Sequence, residues 1–142
     1  MGWAQFLERY RATEAALDVY VSHLPVWVNV WRGWMFFIFT FAVVFVVWKP
    51  EARWLAVTMV VSLFAYNLVT MFSGVGRFPS IAFLVFWSPL AVYFARRRAQ
   101  VPAERAFDRI YRWWFMAALA TLCVSLGFDT YNVAYSLITG AP

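Results

Sequence analysis

The sequence has few of the residues that build most catalytic and cofactor sites. It contains one cysteine, Cys123, and one histidine, His23, in 142 residues. No intramolecular disulfide is possible, and a zinc centre of about four soft ligands cannot be assembled. A bis-histidine haem would need a second subunit. Charge is equally scarce: 13% of residues are charged, against roughly a quarter in soluble domains. Lysine occurs once, at Lys49, beside eleven arginines. There is no Ser/His/Asp order with a nucleophile elbow, no paired acid and base, and no phosphate-cradling loop entering a soluble helix. An enzyme, a nucleic-acid module and a disordered tail are all poor fits, and neither cofactor nor metal is expected.

What is abundant is apolar surface. Hydrophobic residues make up 64% of the chain and aromatics 22%, more than one small water-soluble core can bury. This points to an all-α, polytopic integral membrane protein. Four apolar runs lie at about 31–48, 54–72, 78–95 and 113–138. At about 1.5 Å per residue each approaches the ~30 Å hydrocarbon core. Residues 25–142 are therefore expected to form a domain of four transmembrane helices. Short connections at 49–53 and 73–77 require antiparallel neighbours, and Pro50 suits the first turn of a helix. A third, longer connection carries Arg96, Arg97 and Arg98, then a Pro102-initiated stretch with Arg105, Arg109 and Arg112 on one helical face.

Residues 1–24 read as a separate amphipathic helix. Trp3, Phe6, Leu7, Tyr10, Leu17, Val21 and Leu24 form a stripe at helical period. It would lie along the outer membrane surface, or fold over its own bundle or a neighbouring subunit. Glu14 sits at the edge of the stripe with Asp18 one turn on, making both secondary site candidates. No charged region followed by an apolar one opens the chain, so the internal runs are expected to drive insertion.

Positive charge sets orientation. Lys49, Arg53, Arg96, Arg97, Arg98, Arg105, Arg109 and Arg112 fall on one side, against Arg9, Arg11, Arg32 and Arg77 on the other. Both termini are thus expected outside the cytoplasm, in a membrane of the bacterial inner type. Trp27, Trp31 and Trp34 would form an outer aromatic belt, and Trp48, Trp54, Trp113 and Trp114 an inner one. The arginines of the third connection would meet anionic lipid headgroups.

Few polar residues need a further reason. Asp129 is the only acid well inside a run, and an uncompensated carboxylate in a membrane costs about 2.5–3.5 kcal/mol. Thr130, Tyr131, Asn132 and Tyr135 surround it, while Asn67 with Tyr66 lies at comparable depth in the second run and Arg77 closes that end. Asp129, Asn67, Arg77, Tyr131, Asn132 and Tyr66 could converge on an ion or solute site. Alternatively, an Asp129–Arg77 pair could pin two helix ends together, with Asn67 as interhelical glue. Ser73-Gly74-Val75-Gly76-Arg77 reads as a tight turn, since no pore helix precedes it and Arg77 would repel cations. Trp87-Ser88-Pro89 reads as a kink whose freed carbonyl Ser88 could partner, and Cys123 as a packing residue. Val61-Ser62-Leu63 before Tyr66-Asn67 is echoed by Val124-Ser125-Leu126 before Tyr131-Asn132, as a duplicated hairpin would produce.

Two functions fit this pattern. The first is a homo-oligomeric channel or transporter for ions or small solutes, because four helices with so few polar residues can hardly enclose a water path alone. The second is an accessory subunit packed against a larger membrane complex.

Overall fold

The computed structural model describes residues 2–140, among which there is no strand. Helix α1 (Trp3–Ser22) is followed by α2 (Val26–Thr40), which tightens into 3-10 turns over Phe41–Phe45. Then come α3 (Pro50–Ser73), a 3-10 turn at Phe78–Ser80, α4 (Ile81–Arg97) and α5 (Ala106–Thr139). Four of these segments, Val26–Phe45, Pro50–Ser73, Phe78–Gln100 and Ala106–Thr139, are long and apolar enough to cross a membrane.

Their bounds differ from the sequence expectation for local reasons. The first segment starts at Val26 because Pro25, in an extended conformation, stands at the N-cap. It ends at Phe45, where Arg53 reaches back from α3 to the carbonyl oxygens of Val46 and Val47 at 2.7 and 2.9 Å. Pro50 opens α3 as expected. The charged stretch after Pro102 belongs to α5 only from Ala106 onward, with Arg105 as the extended N-cap. At 34 residues α5 is about 51 Å long. Gly74 ends α3 at φ +89° and Gly140 ends α5 at φ +68°, conformations open to glycine at little cost. The glycine-containing loop is therefore a helix stop.

The four long helices run up and down, each beside its neighbour in sequence, with α5 closing on α2. One end carries the 46–49 and 98–105 connections and is called here the basic end. The other, at the 74–77 loop, is the distal end. The core is densest toward the basic end. Phe45, Phe94, Tyr111 and Phe115 are essentially inaccessible, with Phe94 stacked on Phe115 at 4.7 Å and Phe45 edge-on to Tyr111 at 5.1 Å. Ala42, Ala52 and Ala118 leave room for these rings. Trp114 lies in this cluster rather than in an aromatic belt, its indole N–H donating to the carbonyl of Ile38 at 2.8 Å.

Buried charge closes the basic end. Glu51, only 4% exposed, accepts from Arg97 Nε at 2.9 Å and from the Tyr111 hydroxyl at 2.9 Å. Lys49 pairs with Asp108 at 3.3 Å and lies over the Tyr111 ring. Helices α3, α4 and α5 are thus joined through one carboxylate.

Replacing Tyr111 by Phe keeps the ring packing and leaves one Glu51 oxygen without its donor. A hydrogen bond to a charged group is worth about 1.5–3 kcal/mol, so the unfolding midpoint in detergent should fall clearly. An unchanged midpoint would show that the hydroxyl contributes nothing.

Candidate functional site

The inward face of α5 changes character along its length. Toward the basic end it presents Tyr111, Trp114, Phe115, Ala118 and Leu122, and beyond them Ser125, Asp129, Val133 and Ser136 fall on the same helical face. Asp129 therefore looks into the bundle, where it is half-buried. Among the described residues it makes no ion pair and no hydrogen bond.

Tyr66 of α3 lies within electrostatic range of Asp129, of Tyr20 on α1 and of Arg32 on α2. Tyr66 also stacks on Phe83 at 5.0 Å, and Phe83 packs against Trp87. Asn132, one turn beyond Asp129, is half-buried. Tyr66 is thus the common polar neighbour of Asp129, Tyr20 and Arg32, and it is backed by aromatic rings.

The other predicted residues are placed elsewhere. Arg77 does not pair with Asp129: its guanidinium lies over the rings of Tyr135 and Tyr131, at 4.3 and 5.8 Å. The expected Asp129–Arg77 bridge is absent because α5 turns these tyrosines, roughly 200–240° around the helix from Asp129, toward the 74–77 loop. Asn67 donates to the Tyr10 hydroxyl at 3.0 Å, which ties α3 to α1 rather than to Asp129. Tyr10 also stacks on Phe64 at 6.0 Å, and Arg9 lies over Phe72. Helix α1 packs on α3 with Phe6, Tyr10, Thr13 and Leu17 half-buried, while Trp3 and Leu7 of the expected stripe are exposed. Glu14 and Asp18 are exposed and take no part in the polar region.

Three further expectations resolve differently. Ser88 is exposed and makes no hydrogen bond among the described residues, although α4 continues through Pro89. Cys123 is exposed on α5 rather than packed. Ser62 and Ser125 of the sequence echo are both buried, bonded to Trp87 Nε1 at 2.7 Å and to Met35 Sδ at 2.8 Å. The tyrosine that follows, however, stands four residues on in one copy and six in the other, so it lands on different helical faces.

The buried Glu51–Arg97–Tyr111 group was not anticipated. Glu51 reads as part of a connection, and Arg97 as a headgroup contact; the structure gives Arg97 a partner inside the protein. A helical wheel begun at Pro50 puts Glu51 on the face of Leu55 and Ser62, a signal that was available. No cluster of metal-ligating side chains occurs among the described residues.

Comparison of the chain with protein-family models, with curated proteins and with solved structures finds no match to any of them.

Replacing Tyr10 by Phe removes the acceptor for Asn67 and leaves the stack on Phe64. The loss should be about 1 kcal/mol, and it should appear first as faster amide exchange in α1. Unaltered exchange there would mean that the ring stack alone holds the helix.

Proposed function

We propose that the chain is an integral membrane protein whose distal half holds a binding site for a cation or proton centred on Asp129. It would act as a homo-oligomeric channel or transporter for ions or small solutes. The observation that carries this reading is the inward-facing Asp129, which has no ion pair or hydrogen bond among the described residues. A carboxylate so placed needs a mobile partner, a proton or water to offset its desolvation. Tyr66 offers a hydroxyl group within electrostatic range of it.

Support for the bilayer comes from the outward faces. Phe36, Phe37, Val43, Val60, Val85 and Val92 are all more than half exposed, and only 22% of the first two spanning windows is buried. Surface of that kind is stable in lipid and unstable in water. Charge supports one orientation. The eight basic residues of the basic end outnumber Glu51, Glu104 and Asp108, while the four distal ones are matched by Glu8, Glu14, Asp18 and Asp129. The basic end would face the cytoplasm of a bacterial inner membrane, with both termini outside.

The aromatic plug bears on mechanism. Phe45, Phe94, Tyr111, Trp114 and Phe115 fill the bundle at the basic end, so a route through one protomer would stop there. Any conducting path must run between copies or open by helix rearrangement. A second reading, an accessory subunit of a larger complex, draws support from an open apolar cleft of about 550 Å³ between α2 and α5, lined by Trp27, Trp31, Trp34 and Phe128.

The test is purification followed by flux measurement in liposomes, with wild type beside Asp129→Asn. The expected result is a stable symmetric oligomer whose cation or proton flux drops about tenfold or more, equivalent to losing some 1.4 kcal/mol of charge interaction. Equal flux in both proteins would remove the site, and a chain that is stable only with another protein would favour the accessory role.

A further inference from the structure

The arginines near the basic end are not equivalent. Arg97 is held by Glu51 and Arg53 caps the end of the first segment. Arg109 and Arg112 are exposed, and among the described residues neither side chain has an acidic or hydrogen-bonding partner. Three residues apart on α5, they are neighbours on one helical face. With Trp113 and Met116 they line a shallow cleft of about 420 Å³. Trp113 is 79% exposed.

The surface beyond the cleft is unusually smooth. Ala120 and Cys123 continue the same face and are exposed. Gly127 follows, and a side-chain carbon added there would meet nothing within 4 Å. The result is a strip with two free guanidinium groups at one end, an amphipathic ring beside them and a low apolar track running away from them.

The geometry points to a binding site for one anionic phospholipid on this face of α5. The phosphate diester would be held by Arg109 and Arg112, whose planar forks suit phosphate oxygens. Trp113 would sit at the level of the glycerol esters, and an acyl chain would lie over Met116, Ala120 and Cys123. Charge complementarity selects the occupant: two unpaired cations at the end of an apolar track match a lipid with a net negative headgroup. They do not match a second copy of this equally basic face. The inference rests on the membrane reading above and is independent of the role of Asp129.

The full chain, purified in a neutral detergent and stripped of lipid, can be titrated with phosphatidylglycerol, phosphatidylcholine or inorganic phosphate and followed by native mass spectrometry. Phosphatidylglycerol should be retained in preference to phosphatidylcholine, and inorganic phosphate should not displace it. Basic residues near an anionic surface contribute about 1 kcal/mol each, so R109Q/R112Q should weaken phosphatidylglycerol retention about thirtyfold. R96Q/R98Q, which removes the same charge, should leave it nearly unchanged. R109K/R112K should fall between wild type and R109Q/R112Q. Equal losses in the two glutamine variants would overturn the proposal in favour of diffuse surface attraction. Displacement by inorganic phosphate would overturn it in favour of a simple anion site, and disulfide crosslinking of lipid-free copies through Cys123 on this face in favour of helix–helix contact. A chain that enters phosphatidylcholine vesicles yet shows no lipid preference fails this proposal alone. One that enters no vesicle fails the membrane reading itself.

Discussion

A polar group with no water nearby must find its partner inside the protein, and most of this structure follows from that constraint. No fully buried side-chain nitrogen or oxygen among the described residues lacks a hydrogen bond. Three indole N–H groups show how this is done: Trp34 donates to Thr121, Trp87 to Ser62 and Trp114 to the Ile38 carbonyl. Each bond joins two different helices. Such bonds add direction to helix contacts that are otherwise made by apolar rings, and direction is what selects one packing among many of similar area. The hydroxyls of Thr70, Thr121 and Thr130 meet the same demand locally, donating to the carbonyl four residues back.

The two ends of the bundle answer this constraint differently. At the basic end, charge is buried but paired, and Glu51 carries two donors and lies beside a dense aromatic cluster. At the distal end a carboxylate of similar orientation is half-buried and has no ion pair or hydrogen bond among the described residues. Pairing one buried acid and leaving another unpaired concentrates the cost in one place. The unpaired group is where a bound species would contribute most, because it would supply the missing charge rather than compete with an existing one.

Much of the fold was legible in the sequence because apolar runs of membrane length are a strong signal. The four long helices, the turn at Gly74 and the start at Pro50 all follow from hydropathy, proline and glycine. Partner choice was far less legible. Asp129, Asn67 and Arg77 lie at similar depth in the sequence, and depth alone suggested one site. The structure separates them because a helix turns about 100° per residue: Asn67 faces α1, Asp129 faces the interior, and the tyrosines under Arg77 face the 74–77 loop. Trp114 was misplaced for the same reason. It is next to Trp113 in sequence, yet one indole is buried and the other 79% exposed.

Helix α5 combines these roles in one continuous element. Its outward arginines and small residues, its inward aromatics and its distal carboxylate are fixed in register by 34 helical residues without a proline. A rotation of α5 about its axis would therefore break the Glu51–Tyr111 bond, move Asp129 out of the interior and swing Arg109 and Arg112 along the surface together. The paired end resists such a rotation through the Tyr111 hydroxyl and the Trp114 indole, which are donated to different helices. The distal end resists it through the buried Val133 and Ser136, the Ser125–Met35 contact and the packing of Tyr131 and Tyr135 under Arg77. The register of α5 is thus held at both ends, so any species that met Asp129 would meet a helix whose other faces cannot turn without breaking contacts at the basic end.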